Sequence, residues 1–221
     1  MTIIASADGS ALGNPGPAGW AWYVDDESWG AGGWKHATNN QGELKAVLEL
    51  LKATAHLDDD LHILCDSQYV INSVTKWMPG WKKKGWRKGD GKPVMNVDLL
   101  KEIDEALQGR RYRFEWVKGH VGHVMNEAAD ARARACAEAF RTGASVPSGP
   151  GFAGAPTTLA GPPDTAPSPV DPEPDDEPSL FDLEPEWHEV IVSLTADEHE
   201  RLQRRARDAG VSVQEFLRSL V

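Results

Sequence analysis

Ile3-Ile4-Ala5-Ser6-Ala7-Asp8-Gly9-Ser10, followed by Gly13-Asn14-Pro15-Gly16-Pro17, is the stretch on which the fold turns. A short apolar run that ends in an Asp-Gly pair reads as a strand, and the Gly/Pro cluster after it sends the chain back. Trp20 to Val24 and Ser28 to Trp34 read as two further strands around a turn at Asp25-Asp26. Downstream the pattern alternates. Glu43 to Ala55 reads as helix, Leu61 to Cys65 as strand, Gln68 to Thr75 and Val97 to Leu107 as helices, Arg113 to Val117 as strand and Asn126 to Phe140 as helix. A meander followed by strand-helix alternation implies an α/β domain, a mixed sheet covered by helices.

The chain of 221 residues, 40% hydrophobic, is long enough for one ordinary domain and something small beside it. Its formal charge of -11 is unevenly spread: Thr142 to Glu200 holds 13 acidic residues and no Lys or Arg, so the remainder is weakly basic. An acidic total therefore does not exclude a nucleic-acid partner. Cys65 and Cys136 are too few and too far apart for a disulfide framework and read as buried free thiols of a reducing compartment. The N-terminus lacks the pattern of a secretory leader, and no run approaches the ~18 apolar residues of a membrane span. A soluble, cytoplasmic protein with no membrane partner is expected.

Asp8, Glu43, Asp66 and Asp130 are the candidate chemistry. Asp8 ends the first expected strand and Asp66 the fourth; if those strands are parallel neighbours, both carboxylates leave the sheet at one carboxyl edge, where open α/β sheets place ligands. Glu43 falls in the first turn of a helix and Asp130 in the second turn of another. Each has an ordinary alternative: Asp8 as a turn residue, Asn40-Gln-Gly-Glu43 as a capping box, Asp66 as a helix cap, Asp130 as a solvated face residue. Singly, none decides. If all four converge, they make a site for two divalent cations, suited to phosphodiester hydrolysis.

The words around them resemble type 1 ribonuclease H: Asp8-Gly-Ser-Ala-Leu-Gly-Asn-Pro-Gly-Pro17, Thr38-Asn-Asn-Gln-Gly-Glu-Leu44, Cys65-Asp-Ser-Gln-Tyr-Val70, Trp77-x-x-x-Trp-Lys-Lys-Lys-Gly-Trp86, Pro93-Val-Met-Asn-Val-Asp-Leu99 and Trp116-Val-Lys-Gly-His-Val-Gly-His-x-x-Asn126, then Asp130. They stand in family order and cover Met1 to Arg141. The resemblance implies a five-stranded mixed sheet in the order 3-2-1-4-5 with helices on both faces. It implies hydrolysis of the RNA strand of RNA-DNA hybrids, leaving 5′-phosphate and 3′-hydroxyl ends. Two Mg²⁺ per site are implied, with Mn²⁺ able to substitute, held by Asp8, Glu43, Asp66 and Asp130. His120, on Lys118-Gly-His-Val-Gly122, resembles the family's mobile histidine, and a neutral imidazole suits proton movement near pH 7. His123 is expected to be structural, since an oxygen-rich site does not suit a zinc pair.

Between Lys76 and Lys92 seven basic residues, Lys82, Lys83 and Lys84 among them, face one acid, Asp90, with Trp77, Trp81 and Trp86 interleaved. Lysines attract phosphates and indoles cover sugars or apolar surface; the alternative is a solvated helix whose tryptophans pack on its own base. By resemblance this segment grips the DNA strand, Asn14, Asn40 and Gln68 read the minor groove, Glu43 meets a 2′-hydroxyl, and Thr38 with Asn96 holds a DNA phosphate. Two departures from the commonest bacterial pattern stand out: Ala7, where a hydroxyl residue is frequent, and Gln41-Gly42, in place of a basic-then-apolar pair.

Composition shifts after Arg141. Residues 142–185 are expected to be a disordered Pro/acidic linker. Within it Asp175-Asp-Glu-Pro-Ser-Leu-Phe-Asp-Leu183 is either plain linker or a docking motif for a replication protein. Residues 186–221 resemble a ribbon-helix-helix module, a β-α-α unit with Val190, Val192 and Leu194 on its inner face. A unit so small must dimerise to bury enough surface, so a homodimer through this module is expected, with weak DNA contact through the Ser212 helix start or Arg201, Arg204, Arg205 and Arg207; the alternative for the tail is a DNA-binding regulatory module of ribbon-helix-helix type.

Overall fold

The computed structural model describes residues 2–119, 121–153 and 205. Its strands, β1 (Thr2–Ala11), β2 (Gly16–Asp25), β3 (Ser28–Ala37), β4 (Asp60–Cys65) and β5 (Tyr112–Trp116), form one five-stranded sheet in the order β3-β2-β1-β4-β5. β2 runs antiparallel to both β1 and β3, while β4 runs parallel to β1 and β5 parallel to β4. The helices are α1 (Asn39–Ala53), α2 (Gln68–Asn72), α3 (Met78–Lys83), α4 (Val97–Ala106) and α5 (Val124–Thr142), with a π-helical turn, Ser73–Trp77, carrying α2 into α3. Mixed sheet, strand order and helices on both faces agree with the expectation.

Strand alternation sorts the core. Ala5, Ala7, Trp20, Trp22, Ile63 and Cys65 join Leu44, Val47, Leu48 and Leu51 of α1, and α4 packs outside α1. On the opposite face Ala21 and Ala31 meet Ala133 and Cys136 of α5. Trp20 and Trp22 lie over Gly32 and Gly30, their cross-strand partners, so the indoles fill the space where β3 has no side chain.

The boundaries differ from expectation where local hydrogen bonds override composition. β1 does not end at Asp8: its parallel register with β4 stops at Ser6↔Leu64, but its antiparallel register with β2 continues to Ala11↔Ala18. α1 begins at Asn39, capped by Thr38, whose Oγ1 accepts from Gln41 N at 3.2 Å while Gln41 Oε1 accepts from Thr38 N at 2.8 Å. The capping box is thus Thr38 with Gln41, which leaves the Glu43 carboxylate uncommitted to a cap. Likewise Ser67, not Asp66, caps α2, its Oγ accepting from Val70 N at 3.3 Å.

Residues 143–153, the first part of the expected linker, are described and meet β3. α5 runs to Thr142, and the chain beyond it folds along the outer edge of β3: Ala31 N donates to Ser148 O at 3.1 Å and Gly151 N to Trp29 O at 3.0 Å. Cys136 Sγ donates to Pro147 O at 3.3 Å, and the Phe152 ring lies 6.4 Å from that of Trp22 and 6.3 Å from that of His56. An edge strand exposes unpaired main-chain groups, and this strap satisfies some of them. The rest of the expected linker with its Asp175 to Leu183 motif, and the module at 186–221 apart from Arg205, lie outside the described residues, as does His120.

Candidate active site

The parallel register places Asp8 and Asp66 each two residues beyond the last pair, Ser6↔Leu64, at one end of the sheet. Glu43 joins them because main chain rides directly on main chain: a Cβ on Gly9 would lie 2.3 Å from Glu43 N, and one on Gly42 would lie 2.7 Å from Gly19 O. Asp130 arrives on α5, which sits so low on β2 that a Cβ on Gly19 would meet Ala133 O at 2.0 Å.

Three of the four carboxylates are held by named neighbours. Glu43 Oε1 accepts from Asn39 Nδ2 at 2.8 Å, and Oε2 accepts a short hydrogen bond from Ser67 Oγ. Asp8 Oδ1 accepts from Gly9 N at 2.7 Å. Asp66 Oδ2 accepts from Asn126 Nδ2 at 3.4 Å, and Asn126, itself fully buried, accepts from Ser6 Oγ at 3.3 Å. The main-chain oxygen of Asp66 accepts from Trp116 Nε1 at 3.1 Å.

The electrostatics show that the four share one field. Burial pushes the Asp8 carboxyl up to about 8; Asp66 adds to this, the Gly9 N–H works against it, and Asp130 and Glu43 raise it further. Burial likewise pushes Glu43 up to about 7, with the Ser67 hydroxyl opposing and Asp66 assisting. Crowded, desolvated carboxylates that resist ionisation are relieved by a cation. The donor set is all oxygen, which suits a hard divalent ion. Among the described residues no three His, Cys, Asp or Glu side chains are gathered tightly enough to hold an ion alone. Mg²⁺, which keeps waters and takes substrate phosphate as ligands, fits such a site. Cys65, buried beneath it, has its thiol pushed up chiefly by burial and is no nucleophile at neutral pH.

The sequence profile of the RNase H family matches residues 2–138. The chain belongs to the ribonuclease H family. It is 55% identical over 150 residues to Ribonuclease H of Tropheryma whipplei (strain Twist), covering 68% of this chain and 93% of that one. It is 48% identical over 134 residues to Ribonuclease HI of Streptomyces coelicolor, 58% of each chain. Among solved structures, LC9-RNase H1, described as a type 1 RNase H with the type 2 active-site motif, superposes with a TM-score of 0.53 at 22% identity, over 74% of this chain and 99% of that one. A foamy viral protease-reverse transcriptase in complex with RNA/DNA hybrid superposes at 0.55 and 22% identity, over 61% and 20%. These two likenesses bear on the fold.

As a ribonuclease H the chain is an endonuclease and hydrolase, and its other expected site residues fall as follows. Asn14 is exposed and its Oδ1 accepts from Asn39 N at 3.1 Å, which ties the β1–β2 turn to the start of α1 beside Thr38 and Asn40. Gln68 is exposed at the first position of α2. Asn96 caps α4 in a left-handed conformation, φ 53°, and donates from Nδ2 to Tyr69 Oη at 3.1 Å. In the basic segment Lys82, Lys83 and Lys84 are exposed, with Lys82 Nζ 2.7 Å from Asp104 Oδ2. Trp77, Trp81 and Trp86 are half-buried; Trp81 and Trp86 pack on the core and Trp77 lies 5.7 Å from Trp81, ring to ring. These tryptophans brace the segment and keep an exposed side. His123 precedes α5, with Nδ1 buried and without a partner among the described residues. Among those residues no helix is long and apolar enough to cross a membrane.

Sequence reasoning assigned no role to Asn39, Ser67, Asn126 or Trp116. Asn39 precedes Glu43 by one helical turn, the spacing at which helix side chains meet, and that signal was present. Nothing local marks Asn126, whose partners Ser6 and Asp66 are 120 and 60 residues away.

Proposed function

We propose that this enzyme cleaves the RNA strand of RNA-DNA hybrids by in-line attack of water on a phosphodiester, leaving a 5′-phosphate and a 3′-hydroxyl. The observation that carries the proposal is the gathering of carboxylates in one buried spot, where burial first and their mutual charge second lift Asp8 to about 8 and Glu43 to about 7. Asp8, Glu43, Asp66 and Asp130 would hold two divalent cations, Mg²⁺ with Mn²⁺ as substitute. When bound, such a pair activates water and stabilises the leaving oxygen. Asn39 and Ser67 orient Glu43, which also faces the RNA 2′-hydroxyl. Asn126 and Trp116 hold Asp66 from its side chain and its peptide. His120 moves a proton at the departing product.

Substrate recognition divides between two surfaces. Asn14, Asn40 and Gln68 read the minor groove, where the 2′-hydroxyl distinguishes RNA. Thr38 and Asn96, with Lys82, Lys83, Lys84 and the exposed sides of Trp77, Trp81 and Trp86, hold the DNA strand, so binding weakens steeply with salt. A homodimer through residues 186–221 and residence in the cytoplasm complete the proposal.

The test is cleavage of an end-labelled hybrid with Mg²⁺. The protein is expected to cut only the RNA strand, and Asp8→Asn and Asp66→Asn to abolish cutting. Activity surviving in either variant would overturn the site.

A further inference from the structure

Trp116 is the one tryptophan among those described that is exposed: 49% of it faces solvent, whereas the others are buried or half-buried. It is also fixed, since its indole N–H donates to the main-chain oxygen of Asp66 at 3.1 Å. It ends β5, and the chain that follows grazes the same carboxylate, for a Cβ on Gly119 would lie 2.3 Å from Asp66 Oδ2. A rigid, flat, apolar face one hydrogen bond from a site carboxylate is pre-organised for contact, because little freedom remains to be lost when a partner covers it.

We propose that Trp116 is a substrate-positioning residue with two separable parts: its ring packs on the ribose of an RNA nucleotide adjoining the scissile phosphate, and its N–H fixes the Asp66 peptide. This rests on the proposed hydrolysis of hybrids. The partner is a sugar, because bases within a duplex are already stacked on one another while the ribose of an A-like strand faces the wide minor groove. The ring thus governs binding and the N–H governs the cleavage step.

The experiment uses full-length protein carrying Trp116→Phe, Trp116→Leu or Trp116→Ala. Hybrid binding is followed by fluorescence anisotropy in EDTA, single-turnover cleavage in Mg²⁺, and folding by thermal denaturation. Phenylalanine keeps a flat ring and loses the donor, so it should bind within about twofold of the parent and cleave about fivefold more slowly. Leucine and alanine lose the flat face and should bind about tenfold more weakly. Leucine preserves bulk, so it decides the matter if the alanine variant unfolds. Unchanged binding in the leucine variant, or unchanged cleavage in the phenylalanine variant, overturns the proposal. Parent protein that neither bound nor cut the hybrid would overturn the functional reading itself, and this inference with it.

Discussion

Ser67 Oγ donates to Glu43 Oε2 and accepts from Val70 N, so the residue that caps α2 also fixes a carboxylate on α1. Ser67→Ala should lower the cleavage rate about tenfold, as expected for a lost hydrogen bond to a charged group. It should also cost about 1 kcal/mol of stability through the lost cap. Ser67→Thr keeps both bonds and should restore most of the rate. Measuring rate and melting temperature on both variants separates clamp from cap. A threonine variant as slow as the alanine variant would deny the hydroxyl its orienting role.

Gly42→Ala places a methyl 2.7 Å from Gly19 O. α1 must then lift off the sheet, and Glu43 with it. A loss of about 1 to 3 kcal/mol is expected from overpacking, read by urea denaturation. Activity should fall beyond what the unfolded fraction explains, because the displaced residue is the neighbour of a site carboxylate. A shifted midpoint with full activity per folded molecule would show that Glu43 tolerates the movement.

The raised carboxyls of Asp8, about 8, and Glu43, about 7, set a pH dependence of stability. In the unfolded chain both groups lose their protons near pH 4. The folded, metal-free protein keeps them protonated to higher pH and so binds more protons between about 4 and 8. Their contribution is complete below pH 4 and is lost as pH rises through 7 and 8. Metal-free protein should therefore become less stable across that window, by up to about 1.4 kcal/mol per pH unit for each group. Added Mg²⁺, favouring the ionised forms, should flatten the slope, and so should Asp8→Asn. Denaturation curves at pH 5, 6.5 and 8, with and without Mg²⁺, check this, and a slope indifferent to Mg²⁺ would contradict ion binding at these groups.

Protein ending at Thr142 loses the strap on β3, whereas protein ending at Ala153 keeps it. The shorter form should be less stable by about 2 kcal/mol, from the exposed Phe152 contacts and edge hydrogen bonds. It should also associate more readily through the bared edge. Equal denaturation midpoints would show that the strap contributes nothing.

Much of the fold was legible because period-2 and period-3.6 patterns report burial, and burial is what a sheet between two helical layers imposes. Strand order came only through the resemblance, since register depends on partners that periodicity does not name. Element ends were the weakest part. Asn40-Gln-Gly-Glu43 looked like a capping box two residues away from the real one, Thr38 with Gln41, because both words satisfy the same local chemistry. The composition after Arg141 suggested little to bury, and Val146 and Phe152 sufficed to seat a strap where β3 offered an unpaired edge. The four carboxylates were visible from their neighbouring words. Their supports, Asn126 above all, were not, since a buried polar side chain declares itself only when its distant partners are in place.

Gly9, Gly19 and Gly42 contribute no side chain to the site, yet the approach of α1 and α5 to the sheet passes through them. A saturation-mutagenesis map of this enzyme scored by activity alone would colour these glycines as deeply as Asp8 and Glu43, and would invite the error of assigning them chemistry. Scored by abundance as well, the two groups should part: the carboxylate variants present in full and silent, the glycine variants scarce.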